Sequence, residues 1–512
     1  MSSKQTRPNI LLIQTDQHAP LVSGFAGDPY VRTQHLDALA QRSTQFDTAI
    51  CPSPICTPSR MCMLTGKEAH RCAAWSNHWI IFPEHVTWPG HFGAHGYRTC
   101  LVGKMHFGGR DQMQGFQVRP YGDLRHGLSH QPDPIDLFPA YHGAEGAGIT
   151  EIPESLLQDV VVTRESLAFL LEHQDVEPDV PWFVCASYSR PHSPFTAPGR
   201  YIRRYRDKIP PAYLSASPEQ DLEPFSRRYF SVDQPPEVSL RGREAYYACV
   251  DFVDDCIGDL LDGLDRAGLL DNTIVIYTSD HGEMIGHHGI WGKIVYYEPS
   301  VGVPLMMTGP GIQAGHHRVP HPVSLLDLFP TTCALAGLPI PEGLDGVDFH
   351  ELLADPETAK PPRDFAASAS FAYGVRINYN TTNENQPWAA MRLVRDQHWK
   401  YVEVEKGSPL LFDLGNDPLE KVNLAARPEH QERCLQMKQA LFRDFNWQRV
   451  HEQLALDRAR LPEFLSGQRP STPNQYVLAD GRMFDAEGGL YGARWLYVPP
   501  KASGGIIPQQ FG

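Results

Sequence analysis

Residues 54–67 read PICTPSRMCMLTGK. Cys56 stands between two prolines, four residues ahead of Arg60. Pro58 suits the first turn of a helix, and SRMCMLTG continues with helix-compatible residues to Gly66. The pattern predicts Cys56 at a helix N-terminus, where unpaired backbone N–H groups favour negative charge. Arg60, about one turn on, points to the same anion. A nucleophile beside a cation on an anion-binding turn is equipped for group transfer. The plain alternative is a buried cysteine in a turn near Cys51, since free cysteine is among the most buried residue types. The Cys-to-Arg spacing is too short for the phosphate-wrapping loop of a thiol phosphatase.

Chemistry at Cys56 needs partners carried by other elements. NILLIQT (9–15) is an apolar run ending at Asp16, and TIVIYTS (273–279) is another ending at Asp280. WFVCASY (182–188) precedes SRPHSPF, and YRTCLVGKMH (97–106) supplies a fourth run. Such runs suit central strands of a parallel sheet covered on both faces, and sites in these sheets gather at the strands' carboxyl ends. Helical spacing of apolar residues marks 243–264 and 155–173, with a short helix over 33–42 capped by Thr33. The chain is therefore read as α/β, with a mixed, mostly parallel central sheet between helices. Residues 1–375 form the catalytic domain in this reading. Residues 376–466 follow as a smaller α+β subdomain, with strand-like runs AAMRLVRDQHWKYVEVE and PLLFDLGNDPLEKVNLA and a helix at 428–446. The Gly-, Pro- and aromatic-rich tail, 467–512, is expected to be an extended arm packed on a neighbour in a homo-oligomer.

Cys-x-Pro-Ser-Arg resembles the signature of the type I sulfatases of the alkaline phosphatase superfamily. PNILLIQTDQ is similar to that family's first strand and metal-binding acids, GYRTCLVGKMHFGG to its Lys-x-His segment, and SRPHSPF to its single-histidine segment. TIVIYTSDHGEMIGHHGIWGK resembles the second metal segment with its trailing lysine, and HPVSLLDLFPTTCALAGLP the helix after the core. The likeness covers residues 8–425 in the family's order.

The resemblance implies an alkaline-phosphatase-like fold and a Cys56 oxidised after synthesis to formylglycine. One geminal hydroxyl of the aldehyde hydrate attacks sulfur and expels the alcohol. The second then loses its proton, ejects sulfate and restores the aldehyde. The same resemblance assigns one divalent metal ion to Asp16, Gln17, Asp280 and His281, with the group made from Cys56 as a further ligand. The spacing supports this separately, because two adjacent donors end each of two strands. Many sulfatases have a second Asp at the position of Gln17 and Asn at that of His281. The change shifts preference from Ca²⁺ towards Mn²⁺, and both remain open. Arg60, Lys104 and Lys293 are implied to contact sulfate or formylglycine oxygens. His106 is the implied base for the second hydroxyl, with His192 and Lys293 serving the leaving oxygen.

The substrate implied is a small sulfate ester, aryl or of choline type, for which Trp75, Trp79, Trp88 and Trp291 offer aromatic faces to a quaternary ammonium. A phosphonate monoester hydrolase or phosphodiesterase with the same site is the nearest rival. A non-catalytic binding protein with unconverted Cys56 is the rival from another class. Asp+Glu at 60 against Lys+Arg at 45 argues against nucleic acid as a partner. No apolar run approaches the roughly 20 residues of a membrane span. The start MSSKQTRPNILLIQTDQ has too short an apolar core for a signal peptide. A cytoplasmic protein is expected, matured by a formylglycine-generating enzyme.

Overall fold

The computed structural model describes residues 7–77, 79–108, 111–122, 144–213, 234–371 and 390–465, with the backbone of Gln475–Val477 and Met483–Asp485. The rest of the tail expected to act as an arm, and the polar stretch opening the expected subdomain, lie outside the described residues. Eight strands make the main sheet: β1 Asn9–Asp16, β2 Thr44–Ile50, β3 Arg98–Gly103, β4 Val118–Tyr121, β5 Trp182–Pro191, β6 Thr273–Ser279, β7 Leu305–Thr308 and β8 His317–Ser324. Their order is β8-β2-β7-β6-β1-β5-β3-β4. Only β7 runs antiparallel to its neighbours.

Alternation along β1 explains the layers. Leu11 and Ile13 enter one core, with helices Gln158–Val176 and Pro236–Arg266. Ile10 and Leu12 enter the other, with helices Cys56–Thr65, Trp88–Ala94 and Leu328–Leu335. Both faces are thus covered, as the continuous apolar strands require. The short helix is Gln34–Ala40, and Thr33 does not cap it as expected. Its hydroxyl instead donates to Asp37 Oδ1 and accepts from the Gly24 N–H. The helix's free N–H groups of His35 and Leu36 donate to the buried Asp254, brought by Pro236–Arg266.

A second, antiparallel sheet is built in the order β9 Ala366–Ser370, β10 Met391–Arg395, β11 Trp399–Val404 and β12 Leu410–Asp413. It starts at Ala366, ahead of the expected boundary at 375, and the Ala369 N–H donates to Pro52 of the larger unit. The run 389–405 splits into two strands because Asp396 Oδ1 accepts the N–H groups of His398 and Trp399 and turns the chain. The expected helix 428–446 is Gln431–Phe442, followed by a second helix, Trp447–Leu465. Among the described residues no helix is long and apolar enough to cross a membrane.

The two units share a buried ion network. Lys400 Nζ lies 3.0 Å from Glu298 Oε1 and also pairs with Glu420. Arg395 adds a contact to Glu298 Oε2 at 3.3 Å. Burial pushes Glu420 up to about 7 against the pull of Lys400, with Glu298 adding to the rise. One buried ammonium thus serves the sealed Glu420 and the part-exposed Glu298. Lys400→Met is expected to cost about 3–5 kcal/mol in a denaturant titration, because it strands the buried Glu420.

Candidate active site

Register places the first four donors. β1 and β6 pair in parallel from Asn9↔Thr273 to Thr15↔Ser279, so Asp16 and Asp280 emerge side by side. Gln17 and His281 follow them. On the other flank Gln14 pairs with Ser187 of β5, and Ser187 with Gly103 of β3. Lys104 therefore leaves its strand at the same level. Gly103 has φ 93°, and a Cβ there would lie 2.1 Å from the Ser187 carbonyl oxygen, so this close approach needs glycine. Lys104 is fully buried and pairs with Asp16.

Cys56 opens helix Cys56–Thr65, as the prolines predict, and all ten residues of that helix are buried. The Thr57 N–H at its first turn donates to Asn77 Oδ1 at 3.0 Å. The Ser59 hydroxyl donates to the Asp280 carbonyl. The Ser59 bond ties this helix to the end of β6.

Each nitrogen of the Arg60 guanidinium is engaged by protein groups. Its Nε donates to Asp280 Oδ2 at 2.8 Å and its Nη2 to Asp16 Oδ2 at 2.9 Å. Its Nη1 donates to the Lys104 carbonyl and to Ser187 Oγ. The planar guanidinium splints the two carboxylates from behind. Their Oδ1 atoms are left on the side of His281 Nε2, at 4.0 Å from Asp16 and 3.6 Å from Asp280. Cys56 Sγ lies 3.2 Å from that nitrogen and 4.0 Å from Asp16 Oδ1. Donor atoms of Asp16, Cys56, Asp280 and His281 all fall within 4.8 Å of one another.

The donor set fits a divalent cation. His281 Nδ1 donates to the Gly282 carbonyl at 2.9 Å, which fixes the tautomer and leaves Nε2 as the ligand atom. Burial pulls the His281 pKa down, but Asp280 and Cys56 together outweigh it and the net direction is up. The same field that attracts a proton to Nε2 attracts a metal ion in its place. Burial and Cys56 raise the Asp16 pKa, yet Lys104, His192 and Arg60 together hold it far below the usual range. Burial likewise opposes ionisation of Cys56, and Lys293, Lys104 and His281 reverse that, keeping the thiol well below its ordinary value.

His106, His192 and Lys293 complete the ring of predicted residues. His106 (φ 59°) and Gln17 (φ 67°) both adopt left-handed backbone, strain tolerated where surroundings over-determine it. His106 and His192 both stand near enough to Cys56 for each to interact with the thiol electrostatically. His192 Nδ1 donates to the Ser193 carbonyl, so Nε2 accepts from Lys293 Nζ at 2.9 Å. Burial, then Lys104 and Lys293, lower the His192 pKa to about 4, so it is neutral at neutral pH. Asp16, Arg60, Lys104, Asp280 and His281 are sealed, whereas His106, His192 and Lys293 are part-exposed. A substrate must arrive from the side of these last three.

The ten residues singled out in the sequence thus meet at one place, with Arg60 bonded to both carboxylates. The four tryptophans are each buried in a core, with Trp75 donating to Asp457 and Trp88 packed on Phe183 and Phe329. Sequence reasoning missed Asn77, Ser187 and Glu283. Glu283, three residues past Asp280 in SDHGE, carried a visible signal, an acid in a segment otherwise read for metal ligands. Ser187 was hidden inside an apolar run, and nothing singled out Asn77.

The family profile described as Sulfatase matches residues 8–338, and that described as N-sulphoglucosamine sulphohydrolase, C-terminal, matches residues 286–446. The chain is 33% identical over 447 residues to a choline-sulfatase of Rhizobium meliloti, covering 82% of this chain and 83% of that protein. It is 30% identical to an ulvan-active sulfatase of Formosa agariphila, over 83% of this chain and 78% of that one. Among solved structures, the phosphonate monoester hydrolase of Agrobacterium radiobacter shares the fold at TM-score 0.69 and 23% identity, over 93% of this chain and 99% of that one. A protein crystallised with its substrate D-glucosamine-2-N,6-O-disulfate shares it at TM-score 0.70 and 21% identity, over 87% and 98%. With strand register, helix N-terminus and profile in agreement, the chain belongs to the sulfatase family, the sulfuric ester hydrolases.

Proposed function

We propose that the chain hydrolyses sulfate monoesters of small alcohols, aryl or choline-type, with Cys56 in its formylglycine form and one divalent ion, Ca²⁺ or Mn²⁺. The observation that carries this reading is the convergence of Asp16 Oδ1, Asp280 Oδ1 and His281 Nε2 on Cys56 Sγ, ringed by Lys104 and Lys293. Asp16, Gln17, Asp280 and His281 would hold the ion, which supplies Lewis acidity to a hydroxyl and to sulfate oxygens. Formylglycine supplies two geminal hydroxyls, one to take the sulfuryl group and one to drive its release.

The remaining chemistry falls to the chain's own side chains. His106, near the position of the nucleophile, is placed to take the proton of the second hydroxyl. Burial disfavours a charged Lys293, and the neighbouring carboxylates of Asp16, Asp280 and Glu283 oppose that by favouring the ammonium. It donates to the neutral His192 and so holds a proton on the side where the alcohol leaves. Lys104 neutralises Asp16 from within the sealed floor. The nucleophile's helix is wholly buried and Cys56 is 1% exposed, so a maturation enzyme must reach the peptide before the chain folds.

Mass spectrometry of the tryptic peptide 43–60 tests the nucleophile: conversion makes it lighter by the difference between a thiol and an aldehyde. Converted protein is expected to turn over an aryl sulfate faster than the matching aryl phosphonate monoester. The reverse order would make it a phosphonate monoester hydrolase, and an unconverted, inactive chain would make it a binding protein.

A further inference from the structure

Glu283 takes no part in the chemistry above, yet its carboxylate is fully buried beside it. Its Oε1 accepts the backbone N–H groups of Ile285 and Gly292, at 3.1 and 2.5 Å. Its Oε2 accepts Gln17 Nε2. The other end of that amide, Gln17 Oε1, accepts from Lys293 Nζ. An amide between an acceptor-only carboxylate and a donor-only ammonium has one satisfactory orientation. Nitrogen must face Glu283, and oxygen must face Lys293. The backbone of Gln17 is pinned too, its N–H donating to Asp280 Oδ1 and its carbonyl accepting from Tyr246.

On the ion-binding role proposed above, we infer that Glu283 is a positioning residue that turns the Gln17 amide oxygen toward the ion and so lets a glutamine serve at this ligand position. Glu283→Gln reverses the logic. The new amide keeps its oxygen on the two backbone N–H groups and presents NH₂ to the NH₂ of Gln17. Gln17 must then flip, which turns nitrogen toward Lys293 and removes an oxygen ligand. With Gln17→Asp in place the requirement changes sign. Two carboxylates now face each other, and an amide at position 283 becomes the better partner.

The test is equilibrium dialysis of chelator-stripped full-length protein against Mn²⁺ alone. Glu283→Gln is expected to weaken binding by about 10–100-fold in the parent, and to strengthen it in the Gln17→Asp background. A merely structural role would give the same loss in both backgrounds, and that result overturns the inference. So does a loss under about threefold in the parent, within ordinary additivity error. Gln17→Met, which removes the oxygen with Glu283 intact, must weaken binding at least as far, so the inference stays testable if Glu283→Gln does not fold. A parent that takes up no Mn²⁺ while both variants behave identically would overturn the ion-binding role itself. A parent that binds Mn²⁺ alongside an unaffected Glu283→Gln overturns only the positioning role.

Discussion

Cys56→Ala is expected to give folded protein that turns over an aryl sulfate at least about 10³-fold more slowly than converted parent. The loss should fall on kcat. Lys104, Lys293, His106 and His192 stay in place around the vacated sulfur, so anion binding survives while the attacking atom does not. Stability should change by only about 1 kcal/mol, as for other small buried truncations. Steady-state kinetics at matched ion content and a thermal melt read the two effects separately. A residual rate within about tenfold of the parent would remove Cys56 from the nucleophile's role.

The second large effect is on the ion. In Asp280→Asn, Arg60 Nε, the Gln17 N–H and the His281 N–H still point at the side chain, and all three are donors. An amide must oppose one of them with its NH₂, and it carries no charge to set against the cation. Binding of the divalent ion is expected to weaken by more than the about 100-fold that an outer partner can cost. The unmet donor should cost a further about 1–3 kcal/mol of stability. Elemental analysis after dialysis checks the first effect and denaturant titration the second. An ion content equal to the parent's would strike Asp280 from the ligands.

The geometry of this site was legible where one residue type sits at the end of one recognisable element. Asp16, Asp280 and Lys104 end apolar strands, and Cys56 starts a helix behind proline, so their levels follow from strand lengths alone. Arg60 was visible, but its partners were not. Helical spacing gives a direction, whereas its bonds to both Asp16 and Asp280 depend on β1 and β6 being neighbours in register. Glu283 bonds the Gln17 amide and Asn77 the Thr57 N–H, contacts that exist only once loops are folded. Thr33 shows the same limit in the scaffold: a residue of the right type for a cap lost that role to Asp254, more than two hundred residues away.

Burial of Cys56–Thr65 reaches beyond catalysis to how the protein is made. If Cys56 is the residue converted to formylglycine, a thiol sealed in the core must be oxidised during synthesis. A partly converted batch would then be a fixed blend of competent and inert molecules that share one shape and elute together. Measured specific activity reports the blend, while the Michaelis constant reports the competent molecules alone.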